Sequence, residues 1–246
     1  MTAPAVRRVE HVMGMPISLA LRGRHAGDER GDAAWAAALE VLRAADRVFS
    51  TYRAESVVSR LGRGEIILAD CPPEVAEVLA IGAAAEAATG GAFALRRGGV
   101  LDPSAVVKGW AAERAAAPLA ELPDTDFCLS AGGDITCRTV DPTAAPWRIG
   151  IEDPRDPSRL VAFVPLRTGA VATSGTAHRG SHIVDGRTGR APTGLASVTV
   201  IGTSLSAVDV DATAAFALGA DGERWLAGRG HRAAFVVRTD GTSGTL

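Results

Sequence analysis

The spacing of hydrophobic residues is helical through most of the first half of the chain. Large apolar residues recur at helical intervals from Asp32 to Ser50, which predicts an amphipathic helix with one buried stripe. A second helix is predicted to begin at Pro72 and to end at Gly90-Gly91, because proline favours a first turn and glycine favours a helix end. A third is predicted from Asp102 to about Ala117, where Pro118 stops it.

The second half carries shorter apolar runs separated by glycine, proline and aspartate, a pattern typical of strands. Two further helices are predicted there, from about Ala207 to Leu218 and from Glu223 to Leu226. Helices early and strands late favour an α+β fold, as one domain over residues 1–246, over a regularly alternating α/β fold. The predicted strands are Val12 to Leu21, Phe127 to Ser130, Trp147 to Ile151, Leu160 to Leu166, Ala170 to Thr173, Ser181 to Val184, Ser197 to Ile201 and Ala233 to Arg238.

The charge composition narrows the classes of partner. With 26 basic and 28 acidic residues the formal net charge is -2, so the chain lacks the electrostatic footprint of a protein that binds nucleic acid or a lipid surface. Anionic ligands must therefore be bound by local sites. The 47% hydrophobic content is enough to build a sizeable core.

The lack of a visible targeting signal and the pattern of cysteines both predict a cytoplasmic protein. Residues Met1 to Val12 contain charged side chains and no apolar signal region, and no stretch is long enough to span a bilayer. The cysteines Cys71, Cys128 and Cys137 form no Cys-x-x-Cys pair, and any disulfide would leave one of them over, which suits a reducing compartment. We therefore expect a cytoplasmic protein without membrane insertion.

The first candidate site is the helix start from Asp102 to Trp110. Free backbone N–H groups lie there beside Lys108 and Gly109, so the segment could receive an anion. The alternative is an ordinary capped helix with a solvated lysine.

A glycine-rich turn directly after a strand is the second candidate. Gly132 and Gly133 would let the backbone of this turn approach a ligand closely, and Asp134 would fix the turn. The same residues also suit any tight turn.

Polar residues cluster around the predicted strand Ser181 to Val184. Thr173-Ser174-Gly175 precede this cluster, and His182 is followed three positions later by Asp185. Burying this many polar side chains in a core strand is costly, so such a cluster indicates a functional role. His182 is therefore a candidate base, and a structural histidine is the alternative.

A possible metal site lies on the predicted helix near residue 210. Asp209 and Thr213 are four residues apart and share a face, whereas Asp211 points elsewhere. A carboxylate and a hydroxyl are hard oxygen donors of the kind that Mg²⁺ accepts. The alternative is that Asp209 binds no metal and only stabilises the helix, through a favourable interaction with the helix dipole.

Taken together and in this order, these motifs resemble the ApbE family of FAD:protein FMN transferases across nearly the whole chain. The resemblance implies a T-fold-like, two-lobed single domain. The matching segments are Met13 to Pro16, Ser50 to Tyr52, Glu55 to Leu61, Gly91 to Phe93, Asp102 to Trp110, Gly132 to Asp134, Thr173 to Gly175, His182 to Gly189, and Asp209 to Thr213 ahead of Leu218-Gly219.

The resemblance also implies ligands for these residues. A magnesium ion is expected between Asp209, Thr213 and the backbone carbonyl of Ala105. Tyr52 is expected to contact a ring system of FAD. The residues expected to line the FAD site are Met13, Tyr52, Ala92, Phe93, Asp102, Lys108, Ser174, His182 and Ile183.

The implied reaction is transfer of FMN from FAD to a threonine or serine hydroxyl of an acceptor protein, with release of AMP. Magnesium and Lys108 would neutralise phosphate charge, and His182, oriented by Asp185, would take the acceptor proton. Two other functions remain open, a FAD pyrophosphatase that uses water as acceptor and a non-catalytic flavin carrier.

The chain departs from the family pattern at several positions. Ala94 stands where the family has aspartate, Gly186 replaces a proline, and Met15 replaces a common threonine. The segment from Leu95 to Leu101 is also short. The expected acid, lysine, histidine and metal positions are retained, so an active enzyme is expected.

Overall fold

The computed structural model describes residues 5–177, 180, 183–231 and 233–246 and is built around an eight-stranded antiparallel sheet. The strand order of this sheet is β1-β2-β5-β6-β9-β10-β11-β12, and β3-β4 and β7-β8 form separate two-stranded pairs. The strands are β1 (Val6–Val12), β2 (Met15–Gly23), β3 (Arg96–Arg97), β4 (Val100–Leu101), β5 (Thr125–Ala131), β6 (Asp134–Arg138), β7 (Trp147–Asp153), β8 (Asp156–Leu166), β9 (Gly169–Gly175), β10 (Leu195–Gly202), β11 (Ala233–Arg238) and β12 (Ser243–Thr245).

In the part of the chain that the structure describes, seven α-helices accompany the sheet. Helix α1 begins where Asp28 accepts hydrogen bonds from the N–H groups of Arg30 and Gly31, and α6 begins where Ser204 accepts one from Ala207. Short 3₁₀ turns lie at Leu68–Asp70 and Gly219–Asp221. The α-helices are α1 (Glu29–Phe49), α2 (Val57–Gly62), α3 (Pro73–Ala88), α4 (Ser104–Ala115), α5 (Ala117–Ala120), α6 (Leu205–Leu218) and α7 (Gly222–Ala227).

The core has one large and one small part. The large part joins the helices to one face of the sheet and includes Leu19, Leu42, Val106 and Phe216. On the other face, the β7-β8 hairpin covers a smaller cluster of apolar residues. Helix α6 packs on β9, β10 and α4, so its inner face is buried between the sheet and another helix.

This arrangement confirms the α+β fold class and the predicted long helices. Every pairing within the large sheet is antiparallel. Within the described ranges, no helix combines the length and the apolar character needed to cross a bilayer.

The predicted opening strand from Val12 to Leu21 is confirmed as β2 from Met15 onward, but its first residues belong to the hairpin that joins β2 to β1. Met13 and Gly14 form the turn with φ values of 57° and 70°, and β1 precedes them. Strand β1 lies at the edge of the sheet and is mostly exposed, so its sequence lacks a strong apolar signal.

Other boundaries also differ from the prediction, and two of them lie near the candidate motifs. Helix α4 ends at Ala115, and Pro118 lies inside the first turn of α5, where proline is tolerated, rather than stopping α4. Ile183 and Val184 lie outside any strand, because the chain here leads into a turn closed by the bridge between Asp185 and Arg190. The other half of that predicted strand lies outside the described residues.

Candidate functional site

A buried ion cluster joins three distant segments of the chain. The ammonium of Lys108, on α4, contacts Asp134 Oδ2 at the start of β6 and lies 3.2 Å from Asp209 Oδ1 on α6. Both carboxylate side chains are 1% exposed, whereas the Lys108 side chain is 24% exposed. The lysine therefore lies between two buried acids and partly faces solvent.

Two acids face one ammonium in this cluster. Burial alone would lower the pKa of Lys108, but Asp209 and Asp134 outweigh burial and raise it, so the ammonium stays charged. Burial raises the pKa of Asp209, and Lys108 and the Gly109 N–H only partly offset that effect. When both acids are ionised, one ammonium faces two carboxylates. The net charge is then negative, and a bound cation could neutralise it.

Gly109 allows α4 and α6 to approach closely at this point. Its backbone N–H donates a 2.8 Å hydrogen bond to Asp209 Oδ2. A Cβ on residue 109 would lie 2.7 Å from Asp209 Cβ and 2.8 Å from the carbonyl oxygen of Leu205. Only glycine fits without displacing one of the helices.

A second layer of hydrogen bonds connects the cluster to the sheet. The N–H of Thr173, on β9, donates to Asp134 Oδ1 over 3.0 Å. The next residue, Ser174, forms a 2.9 Å hydroxyl–hydroxyl hydrogen bond with Thr213, one turn after Asp209 on α6. The sheet therefore fixes both the acid that holds Lys108 and the hydroxyl predicted to bind metal.

Asp211, in contrast, belongs to a different cluster. It accepts a two-pronged pair of hydrogen bonds from Arg229 at 2.9 and 3.1 Å and lies 2.6 Å from His231 Nε2. The prediction that Asp211 points away from Asp209 is confirmed.

The turn from Asp185 to Arg190 packs against the turn that follows α3. Gly186 donates its N–H to the carbonyl of Ala92 over 2.8 Å. A Cβ on residue 186 would lie 2.5 Å from the carbonyl oxygen of Gly91 and 2.6 Å from Ala94 Cβ. Glycine at 186 and alanine at 94 are therefore matched to each other in this chain.

Asp185 itself is paired within this turn. Its carboxylate accepts hydrogen bonds from the side chain and the backbone N–H of Arg187, and these hydrogen bonds hold its pKa below the usual value. His182, the predicted base, lies outside the described residues. The predicted orientation of His182 by Asp185 remains a prediction.

The chain shows a family relationship at the level of sequence. Residues 94–236 match the model of the ApbE family, which covers more than half of the chain. The chain belongs to the ApbE family. The match includes α4, β6, β9 and α6, which carry the ion cluster of this ApbE protein.

Several relatives of this ApbE protein are named FAD:protein FMN transferase. The Escherichia coli K12 protein is 29% identical over 153 residues, which cover 58% of this chain and 44% of that protein. The Rhodobacter capsulatus protein is 36% identical over 152 residues, which cover 58% of this chain and 29% of that protein. The matches therefore span less than half the length of these relatives.

Solved ApbE structures share the fold over almost the whole chain. The ApbE protein of Thermotoga maritima has a TM-score of 0.84 at 22% identity, covering 98% of this chain and 96% of that one. The apo flavinyl transferase ApbE of Pseudomonas stutzeri has a TM-score of 0.81 at 22% identity, covering 100% of this chain and 96% of that one. These comparisons show a common fold.

The residues predicted to line a FAD site differ in exposure in this ApbE protein. Tyr52 is 99% exposed, whereas the side chains of Ala92, Phe93 and Ile183 are buried, so the last three could meet a ligand only through their backbone or after movement. Met13 is half-buried.

The first candidate site is the start of α4. The N–H of Ser104 donates to Asp102 Oδ1 over 3.1 Å, but the N-cap residue of α4 is Pro103, which provides no side-chain cap. An ordinary side-chain-capped helix, the predicted alternative, is therefore not observed here. The solvated lysine that went with it is absent, because Lys108 is held by two acids.

For two residues of the ion cluster, the sequence predicted no contact with Lys108 or Asp209. Asp134 follows the paired glycines after β5, and Gly109 follows Lys108 directly, so both lay within motifs that the sequence had singled out. Their role depends on contacts with Lys108 and Asp209, and no local pattern encodes those contacts.

Proposed function

We propose that this protein transfers FMN from FAD to a threonine or serine hydroxyl of an acceptor protein, with release of AMP, and that the reaction requires Mg²⁺. The observation that carries the proposal is the cluster of Lys108, Asp134 and Asp209. Its two acids against one ammonium suit a divalent cation, which would favour the ionised form of Asp209, and its partly exposed lysine suits phosphate oxygens. The names of the relatives support the same reaction.

The donor atoms around α6 fit magnesium. Asp209 offers a carboxylate and Thr213 a hydroxyl, and Mg²⁺ commonly takes one or two carboxylates with other oxygen ligands. Leu205 N–H donates to Glu113 Oε1 and Gly109 N–H to Asp209, so α4 and α6 run antiparallel in a common register. If this register continues by one turn, the Ala105 carbonyl would lie opposite Thr213, which supports its proposed role as a ligand. Bound Mg²⁺ would neutralise charge on the pyrophosphate of FAD.

The residues of this chain would act mainly by positioning and electrostatics. Asp134, itself fixed by the Thr173 N–H, holds the Lys108 ammonium in the cluster, where it would face the phosphates. The acceptor oxygen bonds to the FMN-side phosphorus while the bond from that phosphorus to the bridging oxygen breaks. AMP leaves with the bridging oxygen, and the acceptor proton passes to His182.

The exposed Tyr52 is proposed to stack on a ring system of FAD, because an aromatic side chain that is 99% exposed makes no packing contribution in its present position. The backbone around Ala92 and Phe93, together with Met13, Asp102, Ser174 and Ile183, is proposed to complete the FAD site. Asp185 is proposed to orient His182.

Intact-mass measurement tests the proposal directly. The protein is incubated with FAD, MgCl₂ and a panel of threonine- and serine-containing acceptor peptides, and an FMN-sized mass increase is sought on a peptide. Free FMN and AMP without peptide modification would identify a FAD pyrophosphatase. FAD that is bound but not cleaved would identify a flavin carrier.

A pair of variants on the same helix tests the metal site. Asp209→Asn should abolish transfer, whereas Asp211→Asn, which disrupts the Arg229 and His231 pairing, should retain it at temperatures where the protein is folded. Full activity of Asp209→Asn at ordinary Mg²⁺ concentrations would remove Asp209 from the proposed site.

A further inference from the structure

Glu113, near the end of α4, binds the first turn of a different helix. Its Oε1 atom accepts a 3.1 Å hydrogen bond from the N–H of Leu205, and its Oε2 atom accepts hydrogen bonds from Ser204 Oγ at 3.0 Å and from the N–H of Ser206 at 3.3 Å. One carboxylate thus receives three donors at the N-terminus of α6.

These hydrogen bonds do more than cap α6. The helix already has a local cap, because Ser204 Oγ accepts from the N–H of Ala207. Glu113 satisfies the remaining early N–H groups from another helix, where the helix dipole favours a negative charge. Its contacts therefore fix α6 relative to α4 as well as stabilising the first turn of α6.

The contacts of Glu113 and Gly109 lie one turn apart on both helices. Glu113 is four residues after Gly109, and its partner Leu205 is four residues before Asp209. A slide or rotation of α6 along α4 would break both contacts together, because one helical turn corresponds to about four residues. The position of Asp209 beside Gly109 and Lys108 is thus coupled to the Glu113 contact.

We infer that Glu113 is a positioning residue for the proposed metal site. It sets the register of α6 on α4 and so holds Asp209 in place, although Glu113 contacts neither Asp209 nor Lys108 in any hydrogen bond of the described residues. The metal-site part of this inference rests on the proposed function. The register part depends only on the hydrogen bonds between α4 and α6.

Glu77 provides a matched control. It also binds α4, since it accepts hydrogen bonds from Trp110 Nε1 at 3.2 Å and from Arg114 Nη2 at 2.6 Å. Glu77 lies on α3 and, among the described residues, forms hydrogen bonds and an ion pair with α4 but none with α6, so its loss should loosen α4 without changing the α4–α6 register.

The test compares Glu113→Gln with Glu77→Gln. Glutamine keeps the size of the side chain but removes the charge and replaces one acceptor oxygen by a donor. Titration calorimetry with MgCl₂ should show about tenfold weaker binding for Glu113→Gln, the range expected when the support of a metal ligand is lost. Glu77→Gln should bind Mg²⁺ as the wild type does, even if its Tm falls as far as the Tm of Glu113→Gln. Equal Mg²⁺ affinities, or equal losses in both variants, would overturn the metal-site part.

Amide exchange at Gly109, measured by NMR, tests the register without any metal. The Gly109 N–H donates to Asp209. Its exchange rate should therefore be higher than that of the wild type in Glu113→Gln and the same as that of the wild type in Glu77→Gln. If the wild type binds no Mg²⁺ and transfers no FMN, the proposed function fails and this measurement still decides the register. Should Glu113→Gln not fold, Ser204→Thr and Ser204→Ala are compared, because threonine keeps the hydroxyl whereas alanine removes one of the three donors together with the local cap on Ala207. Exchange at Gly109 should be faster in Ser204→Ala than in Ser204→Thr. Unchanged exchange at Gly109 would overturn the inference.

Discussion

Lys108 Nζ lies 3.2 Å from Asp209 Oδ1, and Lys108 is the only lysine in a chain whose other basic residues are all arginines. A compact ammonium fits between two buried carboxylates, whereas a planar guanidinium needs more room and a fixed fork of acceptors. The chemistry of this position therefore explains why lysine occurs here in an otherwise arginine-based sequence.

Replacing Lys108 by methionine should destabilise the fold. The variant leaves Asp134 and Asp209 buried without a counter-charge, and losing one partner of a buried ion pair costs about 3–5 kcal/mol. Urea unfolding followed by circular dichroism measures the change.

A second substitution identifies the cause of that loss. Adding Asp134→Asn to Lys108→Met should restore part of the free energy of unfolding, because one of the two uncompensated charges is removed while the acceptor for Thr173 is kept. Strict additivity of the two single changes would show that Lys108 and Asp134 are not coupled.

The sequence predicted those parts of the fold whose signals are local. The apolar stripe of α1 and the proline start of α3 lie within the elements that they define, and both helices were found. Strand β1 was missed because it is an exposed edge strand, so its pairing with β2 shows only in the folded sheet.

The candidate site was predictable in its members but not in its contacts. Asp209 and Thr213 share a helix face that the sequence alone could identify. Asp134 looked like part of an ordinary turn, because its partner Lys108 comes from another segment of the chain. An ion cluster of this kind is non-local, and only the packing of α4, α6 and β6 brings it together.

Replacing Gly109 by alanine should disturb both stability and the metal site. The added Cβ would overlap Asp209 and the Leu205 carbonyl, and overpacking of this kind costs about 1–3 kcal/mol. Gly27→Ala is the control, since a Cβ there meets only Val6 at 3.8 Å. Thermal unfolding and Mg²⁺ titration of both variants measure the effects, and wild-type values for Gly109→Ala would contradict the close approach.

Replacing Thr213 by valine separates a structural from a metal-binding hydroxyl. The change removes the hydrogen bond to Ser174 and should cost about 1 kcal/mol of stability. Thr199→Val is the matched control, because Thr199 forms the same 2.9 Å hydroxyl pair with Thr173. Only Thr213→Val should weaken Mg²⁺ binding in calorimetry. Equal Mg²⁺ affinities in the two variants would remove Thr213 from the proposed ligands.

Restoring the proline of the family pattern at position 186 should destabilise this chain. Gly186→Pro removes the N–H that donates to Ala92 and brings a ring against the Gly91 carbonyl, so a loss of about 3 kcal/mol is expected. Gly186→Ala keeps the N–H and isolates the steric part of the loss. A proline variant as stable as the wild type in chemical unfolding would show that Gly186 and Ala94 are not matched.

Tyr52 gives the sharpest separation of binding from folding, because it is the only tyrosine of the chain and its side chain is 99% exposed. Tyr52→Ala should change the free energy of unfolding by no more than about 0.5 kcal/mol, as exposed positions usually do. If Tyr52 stacks on FAD, the lost aromatic contact should raise the dissociation constant for FAD by about threefold to tenfold. Tyr52→Phe retains the ring and should bind as the wild type does, with quenching of flavin fluorescence as the measurement. Unchanged FAD affinity in Tyr52→Ala would place the flavin elsewhere, whereas weaker binding in Tyr52→Phe as well would assign the contact to the phenol hydroxyl.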